Sequence, residues 1–140
     1  HTANNREDMD FLIRELKRHR DKEGLLMANF VDFDSMYGHR RNAQGYAQCL
    51  EDFDAMLGEL LPLLEDDELL MITSDHGNDP TMSGTDHTRE EVPLVAYSPG
   101  LTESRDLGTR KTFADLGQTI MDNFDAGKLP FGTSFLNDLK

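Results

Sequence analysis

Apolar residues recur along this chain in three helical rhythms and three short continuous runs. Met9, Leu12, Ile13 and Leu16 fall at i, i+3, i+4 and i+7, which marks one face of an amphipathic helix over residues 5–20. Arg14, Lys17, Arg18 and Arg20 lie off that face and read as solvated. A longer stripe, Tyr46, Leu50, Phe53, Leu57, Leu60 and Leu64, is spaced 4, 3, 4, 3, 4. It predicts a second helix over 43–64 with these side chains in the core and Pro62 kinking or ending it. Thr112-Phe113-Ala114-Asp115 has the form of a helix N-terminal capping box. Phe113, Leu116, Ile120 and Phe124 would then supply a third buried face, with Gly127 as the stop. The runs 25–31, 69–73 and 92–97 are short, apolar and bounded by polar turns, so they read as buried strands. Helix, strand, helix, strand, strand, helix is α/β grammar and predicts a mostly parallel sheet flanked by helices. Three strands are few, so the sheet is expected to be incomplete.

Length and charge narrow the partners. A chain of 140 residues, 37% hydrophobic and 29% charged, fits one domain with a modest core. The net charge of −13 repels phosphate backbones and anionic lipid, which argues against nucleic acid and membrane partners. It also leaves carboxylates to spare as ligands for cations. The single cysteine, Cys49, falls within the second helix and reads as a small core residue. With no disulfide possible within the chain, a reducing, cytoplasmic setting is expected. The first residue is His1, and no basic-plus-apolar leader follows it. The chain is therefore expected to begin partway through a longer protein.

The Asp and His residues are placed unevenly. Asp34 and His39 follow the first apolar run, Asp75 and His76 follow the second, and His87 precedes the third. Ligands of open α/β sheets gather beyond the carboxyl ends of the strands, so three loops could bring five donors to one edge. Carboxylate and imidazole without cysteine suit a divalent metal and argue against a structural zinc site. Five donors exceed what one catalytic ion usually draws from protein. They point to two ions sharing a site, as in two-metal phosphoryl transfer.

Three segments carry a resemblance. Asp32-Phe33-Asp34-Ser35-Met36-Tyr37-Gly38-His39-Arg40, Asp75-His76-Gly77-Asn78-Asp79 and Thr85-Asp86-His87-Thr88-Arg89-Glu90 resemble the successive C-terminal motifs of the phosphopentomutases. These are two-metal isomerases of the alkaline phosphatase superfamily. The resemblance implies that residues 1–140 form the C-terminal segment of the metal-binding catalytic core, with the N-terminal half of the core and a cap domain lying before His1. It implies that Asp34, His39 and His87 hold one Mn2+, and that Asp75 and His76 hold a second together with an upstream aspartate. A threonine, also upstream, would be the phosphorylated nucleophile; Thr85 and Thr88 do not match its position. The implied reaction interconverts ribose 1-phosphate and ribose 5-phosphate, or their deoxy analogues, with a bisphosphorylated sugar as activator.

Without the nucleophile, the chain alone is expected to be inactive. Arg89 is a candidate ligand for substrate phosphate, with Arg40 and Arg41 weaker ones. Asp32, Asn78, Asp79 and Asp86 would either orient the histidines or cap turns. A second reading is a relative of the cofactor-independent phosphoglycerate mutases. That family shares the Asp-His-Gly-Asn motif but spaces its first Asp and His one residue closer than Asp34 and His39. A third is a metal-binding fragment without turnover. In either fragment reading, the missing N-terminal half or a second copy would cover the open sheet edge.

Overall fold

A computed structural model describes residues 2–139. The chain divides into two units, one formed by residues up to 64 with 76–92, the other by 65–75 with 93 onward.

Among the described residues, the first unit contains two α-helices. Helix α1, Asn5–Arg18, starts where the Asn4 side chain accepts the Glu7 N–H, and its acidic first turn and basic last turn suit the helix dipole. Met9 on its apolar face is 1% exposed. Asn5 is buried as well. Its N–H donates to Asp32 Oδ2 at 2.8 Å, and its side-chain oxygen accepts the Asp32 N–H at 3.1 Å. Asp32 thus fastens the start of α1 to the chain entering the functional region and does not orient a histidine. Helix α2, Ala43–Leu60, is capped by Asn42 through the Gly45 N–H. At Leu61–Leu63, which contains Pro62, it tightens into a 3-10 turn. Cys49, Met56 and Leu60 are the buried line of α2. Leu50, predicted to be core, is 51% exposed. A stripe spaced every 3.5 residues drifts around a helix of 3.6, and Leu50 falls off the buried line next to Cys49.

Residues 25–31 do not form the predicted strand. Leu25, Leu26, Met27 and Val31 are exposed, Met27 to 87%. A strand exists only when its N–H and C=O groups find a ladder, and among the described residues no strand pairs with this run. Phe30 is drawn in, edge-on to Phe53 of α2 at 5.0 Å.

The second unit holds the only sheet among the described residues. Strand β1, Leu70–Thr73, pairs antiparallel with β2, Leu94–Tyr97, in a register that sets Leu70 against Tyr97 and Thr73 against Leu94. The expected mostly parallel sheet is therefore not what the described residues form. A parallel sheet here needed the 25–31 run as a strand, and that run is unpaired. After β2, Ser98 Oγ donates to the Asp66 carbonyl at 3.0 Å. Gly100 passes so close that an added Cβ would lie 2.4 Å from the same oxygen.

Helix α3, Ala114–Asn123, buries the polar residues Asp115, Gln118 and Thr119 most deeply, while Leu116 and Ile120 of the expected face are half-buried. Phe113 and Phe124 are exposed. The reason lies in the C-terminal tail, whose N–H groups need acceptors. Asp115 accepts from Thr133 N at 2.8 Å, Gln118 from Leu129 N at 2.8 Å and Thr119 Oγ1 from Phe135 N at 3.0 Å. Phe135, fully buried, is anchored in this way. Thr112 Oγ1 does accept from Ala114 N at 3.2 Å. The capping box is not completed, because Asp115 turns to the tail and to Arg110 Nε, 2.9 Å away. No described helix is long and apolar enough to cross a membrane.

Candidate metal centre

The site lies wholly in the first unit and begins with an unusual turn. Residues Phe33–Gly38 form a π-helix, closed by His39 N–H donating to Asp34 O at 3.0 Å. Five residues along an α-helix advance about 500°, which would set Asp34 and His39 roughly 140° apart. A π turn bonds i to i+5 and brings the two to one face. Phe33 anchors the turn by packing on Tyr46 and Phe53 of α2 at 5.8 and 5.6 Å.

The two side chains meet there, and His87 joins them from a loop. His39 Nε2 lies 3.1 Å from Asp34 Oδ2, His87 Nε2 lies 3.4 Å from Asp34 Oδ1, and the two Nε2 atoms are 3.2 Å apart. All three side chains are partly open, at 32% for Asp34, 42% for His39 and 44% for His87. His39 Nδ1 faces the Thr85 carbonyl. A carbonyl can only accept, so the ring proton belongs on Nδ1, and Nε2 presents a lone pair to the centre.

Two segments bring His87 in. Gly77 and Thr88 pair as an isolated antiparallel bridge, with Thr88 N–H donating to Gly77 O at 3.2 Å. A Cβ on Gly77 would lie 2.7 Å from Glu90 N, so only glycine permits this approach. The bridge stacks the His76 ring on His87 at 3.6 Å between centroids and 18° between planes. Thr88 Oγ1 also accepts the Asp79 N–H at 2.7 Å.

Two further residues complete the frame. Asn78 Nδ2 donates to Asp34 Oδ1 at 2.7 Å. Arg41 donates to the carbonyls of Gly84, Asp79 and Asp86 and to Asn78 Oδ1. Its guanidinium is thus committed to the loop and is not available to a substrate phosphate. Arg40 reaches the Ser35 carbonyl at 3.3 Å.

Of the five expected metal ligands, Asp34, His39 and His87 are drawn together; Asp75 and His76 are not members of the triad. His76 contributes a stacking face to it, and Asp75 is exposed in the second unit. Arg89 is exposed. Asp79 caps a turn, accepting from Thr81 N–H and Oγ1 at 2.8 and 2.7 Å. The two Thr81 bonds hold its carboxyl below the usual range. Asp86 takes part through its backbone carbonyl. The roles of Asn78 and Arg41 depend on contacts tens of residues apart in sequence, which no local pattern announces.

The profile of the metalloenzyme superfamily matches residues 1–128. The chain belongs to the metalloenzyme superfamily. This places it within the alkaline phosphatase-like superfamily, whose members bind divalent metals and are commonly phosphotransferases or mutases. The triad of this metalloenzyme fits a divalent cation. For metal–ligand bonds of about 2.0–2.2 Å, neighbouring donors stand roughly 3.0–3.5 Å apart, which is the spacing of Asp34, His39 and His87. The lone pair of His39, the carboxylate of Asp34 and Nε2 of His87 converge with little besides a proton to separate them. A cation at their centre would satisfy all three.

Proposed function

We propose that this metalloenzyme chain is the metal-binding segment of the catalytic core of a phosphopentomutase. The observation that carries the reading is the π turn beneath Asp34 and His39. An offset of five residues needs i to i+5 closure to bring both side chains to one ion. An offset of four, as in the phosphoglycerate mutase reading, would be met by an ordinary α turn. The longer offset and its matching turn favour the pentose substrate family.

In this reading Asp34, His39 and His87 hold one Mn2+, while Asp75 and His76 hold a second together with an aspartate outside these residues. Bound there, the two ions would supply Lewis acidity and charge neutralisation for phosphoryl transfer. The chain's own residues bind and orient. Thr85 O fixes the His39 tautomer, Asn78 holds Asp34, and the His76 ring supports the His87 plane. Arg89 is exposed on the loop that carries His87, where a guanidinium can take a sugar phosphate bidentately. The nucleophilic threonine is assigned to a segment outside these 140 residues. The setting is cytoplasmic, consistent with a lone buried thiol at Cys49.

The test is a coupled assay of ribose 1-phosphate conversion to ribose 5-phosphate with Mn2+ and a bisphosphorylated sugar. It is run on the isolated chain and on a longer protein that carries it. The longer protein should turn over pentose phosphates and the isolated chain should not. Turnover of phosphoglycerate without pentose phosphate would refute the assignment.

A further inference from the structure

The ligands of the triad come from two stretches of chain more than forty residues apart, and one cation ties those stretches together. Arg41 lies two residues beyond His39 and reaches each of the three ligands at one remove. Its Nη1 donates to Asn78 Oδ1 at 2.8 Å. A guanidinium has only donors, so the Asn78 amide must turn its oxygen to Arg41 and its NH2 to Asp34, where Nδ2 sits 2.7 Å from Oδ1. Its Nε donates to Gly84 O, the carbonyl just before Thr85, which holds His39 Nδ1. Its Nη2 donates to Asp86 O, the carbonyl joined to His87. A fourth bond, from Nη1 to Asp79 O at 2.8 Å, fixes the start of the same loop.

The backbone gives a second, independent sign. Arg41 has φ 51, the left-handed region that glycine or asparagine usually occupies after a helical turn. Arg41 N–H donates to Gly38 O at 3.1 Å and Asn42 N–H to Tyr37 O at 3.0 Å, which is how a helical segment is closed by such a residue. Glycine would adopt this conformation at lower cost. The side chain, with four of its donor bonds on the ligand-bearing loop, accounts for an arginine standing there.

We propose that Arg41 is the positioning residue of this metal centre, setting the donor geometry of Asp34, His39 and His87 without touching the ion. The inference rests on reading the triad as a metal site. Its test therefore separates the two claims. Wild type, Arg41→Gly, Arg41→Lys and His87→Ala are titrated with Mn2+ and with Co2+, following affinity by calorimetry and the Co2+ visible bands. Arg41→Gly relieves the backbone while removing the clamp. Its metal-free fold, read by circular dichroism, should match wild type, while Mn2+ affinity falls about 10–100-fold, the usual effect of losing a residue behind the ligands. The Co2+ bands should also weaken and shift, which a change in stability alone would not produce. Lysine, with one compact ammonium in place of a fork, should recover only part of the loss.

If Arg41→Gly fails to hold the native signal, the comparison is read on Arg41→Lys. Unchanged affinity and bands in a folded Arg41 variant, with His87→Ala losing binding, would overturn the positioning role and leave the metal site standing. If wild type and His87→Ala bind Mn2+ equally poorly, the metal reading fails and takes this inference with it.

Discussion

Gly38 is the place where a single carbon should dismantle the centre. It closes the π turn with ordinary, negative-φ backbone, so alanine is conformationally allowed there. The obstacle is Asn78. A Cβ at Gly38 would stand 2.3 Å from Asn78 Nδ2 and 2.9 Å from its Cγ. Carbon and nitrogen need roughly 3.5 Å between them, so the amide must retreat by about 1 Å. The 2.7 Å bond from Asn78 to Asp34 then exceeds hydrogen-bonding distance. A hydrogen bond to a charged group contributes about 1.5–3 kcal/mol, while Gly→Ala recovers about 0.4–1 kcal/mol from the unfolded chain. The net loss for Gly38→Ala is about 1–2 kcal/mol. Urea unfolding in the presence of EDTA measures it, and Mn2+ titration should show weakened binding in parallel. Asn78→Ala supplies the decisive background, since it removes the atoms that the new carbon strikes. In that background Gly38→Ala should cost much less, the remaining close approach being to the Phe33 carbonyl oxygen at 3.2 Å. If it destabilises the double variant as much as the wild type, the clash with Asn78 is not the cause and the reasoning is wrong.

Other substitutions test the remaining parts. His87→Ala should abolish binding of the Mn2+ held by the triad in equilibrium dialysis, whereas His76→Ala should retain that ion, because His76 lends the triad a ring face and no donor. Asp115 gives a pH signature. Burial alone raises its carboxyl, but the Thr133 N–H and the Arg110 guanidinium outweigh that and hold it below the ordinary 3.8. A depressed carboxyl contributes stability that is fully present above the unfolded value and lost as pH falls through the folded one. Thermal unfolding of wild type should therefore weaken more steeply below pH 3.8 than that of Asp115→Asn. Arg110→Met leaves the buried carboxylate without its cation and should cost about 3 kcal/mol in urea unfolding at neutral pH.

The helices were legible because periodicity is local. The predicted and observed α1 agree to within two residues at its C-terminal end, and α2 ends as a regular helix just before the proline marked as its terminator. The polar burial of α3 was not legible, because its partners are N–H groups of a tail ten or more residues away, and amide donors leave no hydrophobic trace in the sequence. The 25–31 run reads as a strand by composition, yet a strand is a property of pairs, and composition cannot supply the other member. The site divides the same way. Residue type and order picked out Asp34, His39 and His87. Asn78 and Arg41 were ambiguous, since their significance is a contact between segments about forty residues apart. The spacing of five between Asp34 and His39 was visible from the start, but its meaning needed the turn that accommodates it.

That turn also holds one residue more than an α turn would. Deleting one residue between Asp34 and His39 would let the backbone relax to α spacing, and the pair would still fall within about 40° of each other. Measured from Asp34, five residues around a π turn and four around an α turn end at nearly the same angle, so the chain beyond His39 would leave in much the same direction. Both ligands and the heading of Arg41 and α2 would survive the deletion. The extra residue of this short segment is thus absorbed by the width of the turn itself and leaves the course of the chain beyond it nearly unchanged.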